Sequence, residues 1–138
     1  MKYYLIAGER SGDLHGSNLI KALAQHDGSA QFRVWGGDYM KAAGADLVIH
    51  YRHIAFMGLL EVLKNLRILT KYLKQCKSDI LNYDPDVVIL IDFAGFNLKI
   101  AAFAKKKTSA CFTTFHLRYG HGRLQGHGKL KNMLTGCL

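Results

Sequence analysis

The chain has 138 residues, of which 49% are apolar and 21% charged, a composition typical of one ordinary globular domain and not of a disordered segment. Its 19 Lys and Arg against 10 Asp and Glu give a net charge of +9, which predicts an anionic partner such as nucleic acid, a phosphate-rich ligand or an anionic membrane. No apolar run has the length of a membrane-spanning helix or of a signal peptide, and the three cysteines have neither disulfide nor zinc spacing, so a cytosolic protein with reduced thiols is predicted.

The first 50 residues alternate between strand and helix patterns. An apolar run at residues 2–7 ends at Gly8, and the turn residues 9–13 precede apolar residues at helical spacing, which predicts strand, tight loop and helix. A second strand is predicted at Phe32–Trp35 before two glycines, followed by a short helix at Met40–Ala45 and a third strand at Leu47–Ile49.

The second half continues this alternation. Leucines at helical spacing alternate with lysines from Leu59 to Leu81, which predicts an amphipathic helix with a basic face. The β-branched run Val87–Ile91 is typical of a parallel strand covered on both faces, and a helix is predicted from Leu98 to about Lys107. Together these elements predict an α/β fold with a Rossmann-like, doubly wound parallel sheet, in which ligands bind at the carboxyl ends of the strands.

The loop after the first strand is one candidate site. Gly8 and Gly12 allow a backbone to approach a ligand closely, and the next helix points its free N–H groups at that ligand, which favours a phosphate or a sugar hydroxyl. The pattern is neither a P-loop nor a GxGxxG fingerprint, which disfavours nucleotide hydrolysis and simple dinucleotide binding. The alternative is that Gly12 and Asp13 end a turn and cap a helix.

The loop after the last predicted strand is the other candidate site. Asp92 follows five apolar residues, so its carboxylate emerges at a strand end in the partly apolar setting that a general base needs, and Asn97 opens the next helix nearby. The alternative is that Asp92 caps this helix or pairs with a lysine.

An apolar segment leads into the basic helix. One interpretation is an interfacial segment in which Phe56, Met57, Leu59 and Leu60 enter lipid while basic residues meet anionic headgroups. The alternative is a helix packed into the core with a solvated basic face.

Several of these segments match one known family. They are Gly8-Glu9-Arg10-Ser11-Gly12-Asp13-Leu14-His15-Gly16, Trp35-Gly36-Gly37, Ala55-Phe56-Met57-Gly58 with Glu61-Val62-Leu63, and Pro85-Asp86-Val87-Val88 running into Ile91-Asp92 and Phe96-Asn97. In this order they resemble the N-terminal region of lipid-A-disaccharide synthase. The resemblance implies an inverting glycosyltransferase of the GT-B type, with two Rossmann-like halves facing across a cleft.

The resemblance also implies substrates and a location. The family transfers 2,3-diacylglucosamine from its UDP derivative to 2,3-diacylglucosamine 1-phosphate (lipid X), which gives the β-1,6-linked lipid A disaccharide and UDP. It uses no metal or other cofactor, has no nucleic acid partner, and is cytoplasmic and peripheral on the inner membrane. The sequence leaves the oligomeric state open.

The resemblance also implies residue roles. Asp92 corresponds to the proposed general base, which removes the proton of the acceptor 6-hydroxyl. The substrate-binding positions are Gly8, Glu9, Ser11, Gly12, Asp13 and Asn97, and the acyl-chain or membrane surface is Phe56, Met57, Leu59 and Leu60. The chain departs from the family at Ala94, where the family often has proline.

The last residues depart from the family pattern. Residues 1–107 are predicted to be the acceptor-side domain, whereas residues 108–138 are expected to be a frame-shifted tail, because reading their codons one base out of phase permits family-like peptides. On this hypothesis the C-terminal donor-binding domain is absent and the chain is truncated and inactive alone. The competing interpretation is a noncatalytic basic module that binds anionic lipid or nucleic acid through its lysine-rich helix and tail.

Overall fold

The computed structural model describes residues 1–55, 66–106 and 110–114. The strands are β1 (Lys2–Ala7), β2 (Gln31–Gly36), β3 (Asp46–His50), β4 (Val87–Ile91) and β5 (Ala110–Thr114). The helices are α1 (Arg10–His26), α2 (Asp38–Ala42), α3 (Tyr51–Ala55), α4 (Leu66–Tyr83) and α5 (Ala94–Ala104).

The five strands form one parallel sheet in the order β3-β2-β1-β4-β5. After β3 the chain crosses β1 and continues on its other side with β4, so β1 and β4 flank the point where the strand order reverses. This arrangement confirms the predicted Rossmann-like, doubly wound α/β fold, and it places the expected ligand crevice at the carboxyl ends of β1 and β4.

Apolar residues cover both faces of the sheet. Alternate residues of β1 point to opposite faces, so Tyr4 and Ile6 pack towards α4 and α5, whereas Leu5 packs with Ile20 of α1. All five residues of β4 are buried, which confirms the prediction of a central strand covered on both faces.

Helix α4 carries the predicted basic face. Leu73, Cys76 and Ile80 are buried against the sheet, whereas Lys71 and Lys74 are exposed on the opposite side. The helix ends at Tyr83 and not at Leu81, and the following Asp84 has a positive φ of 51°. The beginning of the predicted helix, at residues 59–65, lies outside the described residues.

Helix α5 begins at Ala94 and not at the predicted Leu98. The backbone N–H of Asn97 donates to the carbonyl of Phe93 at 2.7 Å, so Asn97 belongs to the first turn and does not open the helix. Packing explains the earlier start, because the Phe96 ring is buried with its centroid 5.8 Å from that of Trp35. This tertiary contact outweighs the weak helix propensity of the adjacent Gly95.

Strand β5 pairs with β4 along its whole length, from Val87 opposite Ala110 to Ile91 opposite Thr114. It therefore lies beyond the domain boundary that the sequence predicts after residue 107. That boundary stays a prediction.

A partly buried ionic cluster joins α4 to the amino-terminal half of the sheet. The Asp79 carboxylate of α4 accepts hydrogen bonds from the Tyr4 hydroxyl at 2.6 Å and from Nη2 of Arg33 at 2.7 Å, and Arg33 also pairs with Asp46 of β3. Burial alone raises the pKa of the Asp79 carboxyl, but its hydrogen bonds to Arg33 and Tyr4 outweigh burial and hold the pKa below its usual range.

The lowered pKa of Asp79 predicts a pH-dependent contribution to stability. A carboxyl whose pKa is lower in the folded state stabilises the fold above its unfolded pKa, about 3.9, and loses that contribution as the pH falls through the folded pKa. We expect Asp79→Asn to lower the free energy of unfolding by about 2 kcal/mol at pH 7. The difference from wild type should shrink as urea denaturation is repeated below about pH 4, whereas a constant difference would mean that the carboxylate charge is not involved.

Candidate functional site

The two loops that the sequence singles out meet at one edge of the sheet. Ala7 and Ile91 are paired at the last positions of β1 and β4, so Gly8 and Asp92 leave neighbouring strands side by side. Because these strands flank the reversal of strand order, both loops lie at the crevice where ligands bind in such folds. The structure thus brings together the two loops that are predicted from the sequence to lie at the carboxyl ends of the strands.

Two glycines allow these loops to pack closely. A Cβ atom at Gly8 would lie 2.6 Å from Cδ2 of Phe93, a distance that real Cβ atoms do not adopt. A Cβ atom at Gly12 would lie 3.2 Å from Cβ of Ala7 and 3.7 Å from Cβ of Asp92. Gly8 is thus required for its contact with Phe93, and Gly12, in the first turn of α1, packs beside Asp92.

Asp92 itself has an unusual backbone. Its φ of 42° lies in the left-handed region, which costs free energy for residues with a Cβ although Asp tolerates it better than most. The side chain is half-buried, and Phe93, not Asp92, is the N-cap residue of α5. Strained backbone of this kind concentrates at functional sites.

Asn97 is the second unusual residue of this loop. It is 1% exposed, and within the described residues neither its amide nitrogen nor its amide oxygen has a hydrogen-bond partner. Burying polar atoms without partners costs about 1–3 kcal/mol, so native proteins usually satisfy them with protein, water or ligand. Asn97 therefore has unused hydrogen-bonding capacity five residues after Asp92, in the first turn of α5.

The Asp13 side chain holds α2 in place through hydrogen bonds. Its buried carboxylate accepts backbone hydrogen bonds from Gly37 at 2.8 Å, Tyr39 at 3.0 Å and Met40 at 3.1 Å. These N–H groups belong to the N-cap residue Gly37 and to the first turn of α2, and they have no partner within that helix. Asp13 does cap a helix, but a different one from its own, and any role in substrate binding would act through the position of α2.

Glu9 and Ser11 lie exposed at the start of α1. The Ser11 hydroxyl donates to the Glu9 carboxylate, and Glu9 is the N-cap residue but does not cap the helix with its side chain. The backbone N–H groups of the first turn therefore receive no side-chain cap from Glu9, which favours an anionic or hydroxyl-bearing ligand at this helix start.

Some predicted residues lie outside the described part of the chain. They are Phe56, Met57, Leu59 and Leu60. Their assignment to an acyl-chain or membrane surface stays a prediction.

Two further residues contribute to this edge of the sheet and are not among the residues predicted from the sequence. Phe93 stacks on Phe96 with ring centroids 5.0 Å apart and fills the space beside Gly8. The sequence feature that could have indicated this role is an aromatic residue directly after the aspartate at the strand end. Arg10 donates from Nη2 to the Tyr39 hydroxyl at 3.1 Å, a contact between distant residues that no local pattern predicts.

The described residues contain no group of three or more His, Cys, Asp and Glu side chains placed to hold a metal ion. In the same part of the chain, every helix is too short or too polar to cross a membrane.

Comparison with known proteins gives a consistent result. The family model described as lipid-A-disaccharide synthetase matches residues 3–115. A lipid-A-disaccharide synthase of Geobacter metallireducens is 41% identical over 102 residues, which cover 74% of this chain and 27% of the relative. That of Chromohalobacter salexigens is 43% identical over 98 residues, covering 71% and 25%, and lipid-A-disaccharide synthase 1 of Legionella pneumophila strain Lens is 36% identical over 103 residues, covering 75% and 27%.

The chain spans about a quarter of the length of these curated relatives. The family match nevertheless includes all five strands and both loops of the crevice, apart from the first residue of β1. A match over most of the chain, with relatives of this identity, establishes that the chain belongs to the lipid-A-disaccharide synthetase family.

Proposed function

We propose that this chain is the acceptor-side half of a glycosyltransferase that makes the lipid A disaccharide. The proposed reaction transfers 2,3-diacylglucosamine from its UDP derivative to the 6-hydroxyl of 2,3-diacylglucosamine 1-phosphate. The observation that carries the proposal is the position of Asp92, in a left-handed backbone conformation at the carboxyl end of β4 and directly beside Gly12.

Asp92 is the proposed general base. Its carboxylate takes the proton of the acceptor hydroxyl while that oxygen forms a bond to the anomeric carbon of the donor. The bond from this carbon to the UDP oxygen breaks, and UDP leaves with the electron pair. Attack from the face opposite the leaving group inverts the anomeric configuration.

The proposed binding residues surround this base. Gly12 lets the start of α1 pack closely beside Asp92, and the uncapped start of α1 at Glu9 and Ser11 offers backbone N–H groups. The unpaired amide of Asn97 is suited to hydrogen-bond a sugar hydroxyl. Gly8 and Asp13 contribute by holding Phe93 and α2 in place.

The donor is proposed to bind mainly to a second Rossmann-like half. The described residues by themselves would then bind the acceptor but not catalyse transfer. We also propose a peripheral location on the cytoplasmic face of the inner membrane. The exposed Arg67, Lys71 and Lys74 of α4 support this location, because they form a basic stripe suited to anionic headgroups.

A chimera tests the proposal. Residues 1–107 of this chain replace the matching region of the Geobacter metallireducens relative, which is 41% identical over the aligned residues. The chimera is expected to form the disaccharide and release UDP from the two proposed substrates. A folded chimera that binds UDP but forms no disaccharide would contradict the proposal.

A further inference from the structure

Arg10 and Tyr39 form a pair on the rim of the crevice. Arg10 is the first residue of α1, after β1, and Tyr39 belongs to α2, after β2. Nη2 of Arg10 donates to the Tyr39 hydroxyl at 3.1 Å, and the guanidinium carbon lies 5.9 Å from the centroid of the Tyr39 ring. Both side chains are exposed, so an accessible cation is held in place by a residue of a separate helix.

The charge of Arg10 is not neutralised by the described part of the chain. Its hydrogen-bond partner there is a neutral hydroxyl, and the neighbouring Glu9 carboxylate accepts from Ser11. Arg33 provides the contrast, because its guanidinium pairs with the carboxylates of both Asp46 and Asp79. Arg33 is a structural cation, whereas Arg10 keeps donors for an anionic ligand.

The strand order relates the Arg10–Tyr39 pair to the proposed base. Tyr39 follows β2 and Asp92 follows β4, on opposite sides of β1. The strands β2 and β4 are two strand spacings apart, which is about 10 Å. One pyranose ring with substituents at opposite ends spans a gap of that size.

We propose that Arg10, oriented by Tyr39, binds a phosphate group of the sugar substrate whose hydroxyl reacts at Asp92. This inference rests on the proposed function. A guanidinium suits a phosphate because it donates two parallel hydrogen bonds to its oxygens, and Arg10 is the first residue of a helix whose start carries no side-chain cap from Glu9. The phosphate belongs either to a sugar 1-phosphate or to the diphosphate of a nucleotide sugar. The separation of about 10 Å between β2 and β4 favours the sugar 1-phosphate, because one pyranose ring spans it.

Binding of three probes to the purified chain tests this inference. The probes are N-acetylglucosamine, N-acetylglucosamine 1-phosphate and UDP, titrated by calorimetry or by NMR against wild type and Arg10→Ala. We expect Arg10→Ala to weaken binding of N-acetylglucosamine 1-phosphate by about tenfold, which is the effect of losing one charge-assisted contact, and to leave binding of the neutral sugar unchanged. A loss confined to UDP would instead assign the phosphate to the nucleotide.

Two further variants separate a direct contact from general effects. Lys21→Ala removes one positive charge from the exposed face of the same helix, about 16 Å along its axis, and is expected to change no affinity. Arg10→Lys keeps the charge but not the planar fork, so it should recover only part of the affinity. Circular dichroism checks that each variant is folded.

The outcomes distinguish this inference from the proposed function. If wild type and Arg10→Ala bind both phosphate probes equally while the neutral sugar still binds, the role of Arg10 is wrong and the proposed function stands. If the folded wild type binds neither the sugar nor its phosphate, both are wrong. An equal loss in Lys21→Ala would show that overall charge, not Arg10, attracts the phosphate.

Discussion

Replacing Asp92 by asparagine is expected to lower the turnover of the active chimera by about 10²–10⁴-fold, the usual contribution of a general base. Asparagine has nearly the same shape as aspartate and also tolerates a left-handed φ. The backbone at position 92, where φ is 42°, should therefore keep its conformation. It cannot accept a proton from the acceptor hydroxyl. Initial rates of UDP release at saturating donor and acceptor measure the effect, which should fall on kcat and leave KM for the acceptor within a few-fold.

Asp86→Asn is the matched control. Asp86 precedes the same strand at its opposite end, where its carboxylate accepts from the backbone N–H of Lys2 at 2.8 Å, and asparagine still offers an oxygen to that donor. This variant should keep wild-type turnover. A folded Asp92→Asn chimera with rates close to those of Asp86→Asn would exclude Asp92 as the base.

Replacing Asp13 by alanine is expected to lower the free energy of unfolding of the chain by about 3 kcal/mol. The change leaves the backbone N–H groups of Gly37, Tyr39 and Met40 without their acceptor in a buried place. A single domain is stabilised by only about 5–15 kcal/mol, so this is a large fraction of the total. Urea denaturation with an unchanged m-value measures it.

Two variants sharpen the test of Asp13. Asp13→Asn keeps one acceptor oxygen but turns an N–H₂ group towards a donor, so its loss should be intermediate. Asp38→Ala removes an aspartate from α2 whose side chain is 73% exposed, and the expected change is within about 0.5 kcal/mol. If Asp13→Ala destabilises the chain no more than Asp38→Ala does, the three hydrogen bonds do not hold α2.

The sequence predicts the architecture because its strongest signals are local. The run Val87–Ile91 is apolar at every position, which is required only of a strand covered on both faces, and the structure places it at the centre of the sheet. Once alternating strands and helices are recognised, the strands must be parallel, and this brings Gly8 and Asp92 to the same edge of the sheet. Both loops are therefore predictable without any tertiary contact.

What the sequence does not predict depends on contacts between distant residues. The start of α5 at Ala94 depends on packing of Phe96 against Trp35, and Gly95 alone argues against a helix there. The role of Asp13 depends on backbone groups more than 20 residues away, which no pattern around Asp13 reveals. Strand β5 lies beyond the boundary that possible codons of the tail predict after residue 107, and the family match continues to residue 115.

The crevice between β1 and β4 is the proposed binding site of the sugar acceptor. Chemical-shift mapping by NMR of the ¹⁵N-labelled chain, titrated with N-acetylglucosamine 1-phosphate, shows where this sugar binds. We expect the largest shifts on the backbone N–H groups of Gly12, Asp92 and Asn97. Shifts confined to the basic face of α4, around Lys71 and Lys74, would contradict this proposal and favour a noncatalytic basic module that binds anions.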